Sequence, residues 1–110
     1  QSPAIHFEDF TKMDIRVGTI LEAEKVPKAN KLLKILIDTG IDKRTVVSGI
    51  SEHYKADEII GKKVSVLLNL APRKIRGVES EGMILMAEDF EGNLAFVSPE
   101  KEVGSGSEIR

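Results

Sequence analysis

Apolar and polar residues alternate along most of this chain, and glycine or proline interrupts the alternation at intervals too short for helices. A period of two puts successive side chains on opposite faces of an extended strand, so the sequence specifies a mostly β protein. Ile15, Val17, Thr19, Leu21 and Ala23 alternate with Arg16, Gly18 and Glu22 and predict a long first strand. Gly18 falls in its middle, where a missing side chain marks a bend or a close backbone approach. Leu33, Ile35 and Ile37 give a second strand ending at the turn signal Asp38-Thr39-Gly40, and the β-branched run from Arg44 to Ile50 gives a third. Tyr54 to Gly61, with acids in its first turn and a terminal glycine, has the composition of a helix of one to two turns. Val64, Val66, Leu68 and Leu70 mark a fourth strand. Gly82 to Ala87 is a fifth, so apolar that both its faces are expected to be covered. Phe7-Glu8-Asp9-Phe10 reads as a helical turn whose two phenylalanines plug one end of the fold.

Three strands, a short helix and two more strands make the layout of the five-stranded OB-fold Greek-key barrel, with the helix between strands three and four. A generic β-sandwich and an SH3-like barrel compete with it. With 110 residues, 41% of them hydrophobic, there is material for one core and one domain over 1–110, a barrel at about 12–88 and a C-terminal extension at about 89–110. Leu94, Phe96, Val97, Val103 and Ile109 in that extension are left over once five strands have closed. They either cap their own barrel or form the face of a homodimer. Opening on Gln1 instead of Met fits a piece of a longer chain.

Several chemistries are excluded or disfavoured. Without cysteine there are no disulfides, thiolate zinc sites, iron–sulfur clusters or cysteine nucleophiles. His6 and His53 stand far apart with no partners at metal-ligand spacing, so neither a metal nor a cofactor is expected. Glu79 and Glu81 resemble a general-acid pair only in their spacing, Ser48, Ser51 and Ser80 have no histidine at informative spacing, and no Gly-rich phosphate loop is present. The residues read as non-catalytic. No apolar run approaches the ~20 residues of a membrane-spanning helix and no signal peptide opens the chain, which points to a soluble cytoplasmic protein.

The net charge of −2 conceals an uneven distribution: residues 1–77 hold 14 Lys/Arg against 10 Asp/Glu, and residues 78–110 hold 2 against 8. In an OB-fold, ligands cross the face of strands two and three, bracketed by the loops joining strands one to two and four to five. Both loops are basic here. Lys25, Lys28 and Lys31, followed by Lys34, occupy the first; Arg73, Lys74 and Arg76 occupy the second, a polar loop from Ala71 to Glu81; Arg44 opens strand three between them. Such a surface suits phosphates. The chain has four Phe, all away from this face, no Trp, and one Tyr, Tyr54, that could stack a single base, so a base-stacking platform for single strands is missing. Asn30, Ser48, Ser80 and the cations suit phosphates, 2′-hydroxyls and base edges of a folded RNA. Met83 follows the second loop, and it reads either as a core filler, like Met86, or as part of the rim. Tyr54 is expected to pack at the start of the helix.

Four stretches, Asp14-Ile15-Arg16-Val17-Gly18, Pro27-Lys28-Ala29-Asn30-Lys31-Leu32, Arg44-Thr45-Val46-Val47-Ser48-Gly49-Ile50 and Asn69 through Met83, strongly resemble the tRNA-binding domain family. That family includes the C-terminal domain of bacterial methionyl-tRNA synthetase, to which the chain looks most similar. The resemblance implies an OB-fold that binds tRNA by shape, largely independent of anticodon, forms homodimers in bacterial members, and leaves aminoacylation to a catalytic domain elsewhere in the parent chain. Carried onto matching positions, it implies that Asn30, Lys31, Arg44, Ser48, Lys74, Arg76, Ser80 and Met83 contact RNA; Lys28 and Arg73 join them from the two basic loops. The family's first loop is usually close to His-Pro-Asn-Ala-Asp-Lys-Leu, and Val26, Lys28 and Asn30 depart from it here in a direction that favours phosphate. A related branch, the dimeric CsaA-type peptide-binding secretion chaperone, shares the first motif but typically lacks the ending present here as Ser80-Glu81-Gly82-Met83.

Overall fold

The computed structural model describes residues 1–110. A short helix α1 (Phe7–Phe10) precedes β1 (Ile15–Val26), β2 (Ala29–Asp38), β3 (Lys43–Ser48), β4 (Lys63–Leu67), β5 (Arg73–Ile75), β6 (Val78–Ser80), β7 (Met83–Ile84), β8 (Met86–Glu88) and β9 (Leu94–Phe96). Five strands form one sheet in the order β3-β2-β1-β4-β7, with antiparallel neighbours throughout, while β5/β6 and β8/β9 are separate hairpins. This is the five-stranded β layout expected from the sequence.

The sheet curls because β1 serves two partners. Ile15–Thr19 pair with β4, and Thr19–Val26 pair with β2. The ladder slips at Leu21, where Ile20 faces Ile37 and Glu22 faces Leu36. Such a bulge reverses the in–out alternation. Ile20, in phase with Gly18 ahead of the bulge, is fully buried and Leu21 is not, because Ile15 and Val17 pair with Leu67 and Ser65 on the face away from the core; the bulge then returns Ala23 to the core side opposite Ile35. Gly18 lies where the curled strand crosses the core, and a Cβ there would stand 2.6 Å from Ile37 Cγ2 and 3.3 Å from the Asp38 carbonyl oxygen. Leu33, Ile35, Ile37, Val46, Val64, Val66 and Ile84 complete the centre of the core.

No ladder joins β3 to β7. Polar contacts instead tie β3 to the segments that lead into β7 and out of β4: the Glu81 N–H donates to the Thr45 carbonyl (2.9 Å), the Val47 N–H to Ser80 Oγ (3.0 Å), and Arg44 Nη1 to the Leu68 carbonyl (2.7 Å).

Several local expectations are corrected. The segments around Lys25–Lys31 and Ala71–Glu81 are tight hairpins, not loops, because Val26 and Ala29, and Ile75 and Val78, pair directly across two-residue turns. The helix between strands three and four is a single 3-10 turn, Ala56–Glu58, too short to propagate, with Glu58 Oε1 accepting from the Lys55 N–H. Strand four ends at Leu67, three residues early, since Asn69 turns its side chain to the Lys12 carbonyl and the Asp14 N–H. The fifth strand breaks at Leu85, and Met83 and Ala87 are exposed, so it is not covered on both faces. Phe7 and Phe10 do form a helical turn, with ring centroids 6.3 Å apart, but Phe7 is exposed and the pair plugs nothing. Tyr54 does pack internally, stacked on Phe96 at 4.6 Å.

The C-terminal segment returns to β1 on the edge that β2 leaves free. Gly106 N–H donates to the Val17 carbonyl, Val17 N–H to the Ser107 carbonyl, and Ile109 N–H to the Ile15 carbonyl. Arg16 clamps it, donating to Asp14 Oδ1 (2.9 Å) and the Gly106 carbonyl (3.2 Å). Leu94 and Phe96 pack against the core, so these two apolar residues cover their own fold.

Replacing Gly18 with alanine should overpack this crossing and lower unfolding free energy by about 1–3 kcal/mol in urea denaturation. Gly49→Ala, where the nearest atoms lie 3.9 and 4.0 Å from the added Cβ, should change it far less.

Candidate nucleic-acid interface

The basic residues sit on two pinned hairpins. In the first, Val26 pairs with Ala29, leaving Pro27-Lys28 as the turn, and Lys28 takes a φ of +63°. Proline followed by a left-handed residue is the type II pattern, whose second position glycine or asparagine normally fills. The next paired residue on β2 is Leu33, opposite Lys25, so Asn30, Lys31 and Leu32 stand out of the ladder. Lys28, Asn30 and Lys31 are all exposed, and the Lys31 carbonyl is held by the Ser51 N–H (3.1 Å). In the second hairpin Arg73 faces Ser80, Lys74 faces Glu79, and Arg76-Gly77 form the turn with φ values of +51° and +81°. Arg73, Lys74 and Arg76 are exposed.

Packing places the second hairpin over the outer side of β3, and register places the first at the neighbouring end of β2. Ile35 and Val46 pair and point into the core, so the next pair, Lys34 and Val47, points outward. Val47 is nevertheless buried, lying in a hollow with Leu70, Ile75, Ser80 and Met83 at the base of the second hairpin. That hairpin therefore folds over the outer side of β3. Lys28 is six residues from Lys34, a span of at most ~20 Å, at the end of β2 where Leu33 faces Ser48. Of the acids in 78–110, Glu79 and Glu81 belong to the second hairpin and its exit, whereas the C-terminal stretch lies elsewhere: Glu102 pairs with Lys63 (2.6 Å), Glu108 with Arg16 (3.6 Å), and Gly106 packs on Gly40 at the far end of β2.

None of Lys25, Lys28, Lys31, Arg73, Lys74 and Arg76 joins an ion pair; the seven pairs involve other residues. With no carboxylate within ion-pair distance, and Glu79 opposite Lys74 as the acid that shares the second hairpin, these cations are free to meet an anion. Lys34, flanking them, leans on Glu24 at 3.7 Å.

Two residues of the implied RNA-contacting set are spent inside the fold. Ser80 is 4% exposed, and its hydroxyl accepts from the Val47 N–H while donating to the Gly82 carbonyl. Arg44 is held between the Asp42 carboxylate (3.0 Å) and the carbonyls of Leu68 and Glu81. Asp42 in turn is kept below the ordinary carboxylate range by the Thr39 hydroxyl first and by Arg44 as well. Ser48 is half-buried at the end of β3. Met83 is 43% exposed beside the second hairpin, which places it on the rim, whereas Met86 packs on the core. Leu70, 38% exposed in the same hollow, reads in the sequence as a core residue; Pro72 two positions on is the signal that the strand has already ended. No aromatic ring lines this face: Tyr54 and Phe96 stack on each other, Phe7 and Phe10 belong to α1, and Phe90 tips the β8–β9 turn.

These contacts separate structural from surface roles. Ser80→Ala should leave the buried Val47 N–H unpaired and destabilise the domain by about 1–3 kcal/mol, whereas Arg76→Ala should stay within about 0.5 kcal/mol; thermal melts of both variants check this. Because the folded state lowers the Asp42 pKa, its contribution is full above the unfolded value of about 3.9 and is lost as pH falls through the folded value. The difference in melting midpoint between the parent and Asp42→Asn should therefore be present at neutral pH and shrink below about pH 4.

Residues 15–108 match the family described as "Putative tRNA binding domain". Methionine–tRNA ligase of Christiangramia forsetii is 67% identical over 104 residues, covering 94% of this chain and 15% of the ligase. The corresponding ligase of Flavobacterium johnsoniae is 63% identical over 109 residues, covering 99% of this chain and 15% of its own length. The chain thus spans about 15% of the length of these curated relatives. Among solved structures, a MetRS related protein from Pyrococcus horikoshii superposes with a TM-score of 0.93 at 34% identity, over 99% of this chain and 100% of that one. The chaperone CsaA from Bacillus anthracis str. Ames gives 0.89 at 27% identity, over 98% and 100%. With most of its residues inside the family match, the chain belongs to the tRNA-binding domain family.

Proposed function

We propose that this domain is a non-catalytic module that binds tRNA by shape and serves a methionyl-tRNA synthetase, with aminoacylation performed by the remainder of such a parent chain in the cytoplasm. The observation that supports this reading is the set of six exposed cations without ion-pair partners, three by the hairpin at the end of β2 and three on the hairpin over the outer side of β3. Lys28, Lys31, Arg73, Lys74 and Arg76 supply phosphate contacts; Asn30 offers an amide to sugar or base edges, and Met83 an apolar rim. Ser48 contributes at the edge of the face, while Arg44 and Ser80 act by holding β3 against the second hairpin. The missing aromatic platform favours folded RNA over an extended strand. Tethering such a module to a synthetase raises the effective concentration of tRNA near the catalytic domain without any new catalytic contact. No helix is long and apolar enough to cross a membrane.

Binding of folded tRNA that persists under excess single-stranded oligonucleotide and weakens linearly in a log–log salt plot is the expected result. Lys74→Ala and Arg76→Ala should weaken different tRNAs alike with unchanged melting temperature. Salt-indifferent binding of unfolded polypeptide, with none of tRNA, would instead assign the domain to the chaperone branch.

We further propose that the domain forms homodimers through the face shared by α1 and the C-terminal segment. Support comes from a groove lined by Phe7, Met13 and Ile109, beside which Ile5 is also exposed. Light scattering should give twice the chain mass at micromolar concentration and the single-chain mass for Phe7→Glu; a parent monomer at every concentration would refute the dimer.

A further inference from the structure

Only two residues other than glycine take a positive φ in this chain, and both are cations at hairpin tips: Lys28 at +63° and Arg76 at +51°. Glycine or asparagine fills such positions at least energetic expense, because a Cβ crowds the backbone in the left-handed region. Both turns therefore hold a long basic side chain where a smaller residue would be more stable. Backbone strain of this kind persists where the surrounding structure enforces it, and it concentrates at functional positions. Each turn is only two residues long and is pinned by a directly paired couple, Val26 with Ala29 and Ile75 with Val78. Each hairpin is also tied to the barrel by a separate hydrogen bond, Ser51 N–H to the Lys31 carbonyl and Val47 N–H to Ser80 Oγ. These bonds tie each tip to the sheet by its own short path. Neither tip has a carboxylate partner within the 4.0 Å of an ion pair.

We propose that Lys28 and Arg76 act as two prongs of fixed spacing that engage phosphates on two separate backbone segments of one folded RNA. The inference rests on the RNA reading above and deepens it, since it assigns the preference for folded over unfolded RNA to the rigidity of two turns instead of to the number of cations. A folded RNA presents two backbone segments at a set distance without further ordering. A flexible strand must be ordered to reach both tips, and that entropy offsets the second contact.

Lys28→Gly and Arg76→Gly test the prongs while relaxing the backbone. A third variant, with two glycines inserted after Gly77, keeps every charge but frees the second tip. The probes are a folded tRNA transcript and polyuridine RNA of equal length, titrated at several salt concentrations, with thermal melts of each protein. Both glycine substitutions should melt at or above the parent temperature, bind tRNA roughly tenfold more weakly, and reduce the log–log salt slope by about 1 each. The insertion should leave polyuridine affinity unchanged and lower tRNA affinity toward the polyuridine value. Parent-like tRNA binding by the glycine variants, alongside weakened binding by Lys74→Ala, would overturn the prongs and leave the RNA reading intact. So would an insertion variant that still prefers tRNA as the parent does. A parent protein that binds neither RNA would sink the RNA reading itself, and the prongs with it.

Discussion

One strand bonded to two partners along its length shapes this molecule. β1 gives its first half to β4 and its second half to β2, and a flat strand cannot do both within one closed fold. Two local devices supply the curl. Gly18 lets β1 cross the core with no side chain between it and Ile37, and the bulge at Leu21 turns the chain and brings Ala23 inward opposite Ile35.

Closure between β3 and β7 uses polar side chains where another ladder would otherwise stand. Arg44 and Ser80 satisfy carbonyls and an amide that the short β7 leaves over, and Asp42 with Thr39 orients the guanidinium. This seam carries the second basic hairpin. Its stiffness therefore depends on groups that make no exposed contact, and the free cations stand on a base built from hydrogen bonds.

Most of the core was legible because burial on one face of a strand leaves a period of two, as Leu33, Ile35 and Ile37 show. The short hairpins were not. Around Lys28 and Arg76 both faces are solvated, so the sequence loses its alternation although the backbone still pairs, and the single apolar couples Val26/Ala29 and Ile75/Val78 are too brief to reveal it. The bulge at Leu21 was hidden for a related reason, since inserting one residue changes phase without changing composition. Among the site residues, the exposed cations were legible as charges in turn-like sequence. Arg44 and Ser80 were not separable from them, because a polar residue that reaches a backbone carbonyl looks the same in sequence as one that reaches a ligand. Met83 was not legible either, since its exposure depends on where the hairpin stops, not on its neighbours in the chain.

Ser107 and Ile109 occupy the length of β1 that β2 does not reach, and Arg16 locks them there. An unpaired strand margin is a template on which another polypeptide can add itself, the usual start of ordered aggregation. Here Ser107 and Ile109 fill that margin. Were that stretch to detach, a sticky border of β1 would lie open beside a core that the stretch itself does not help to fill.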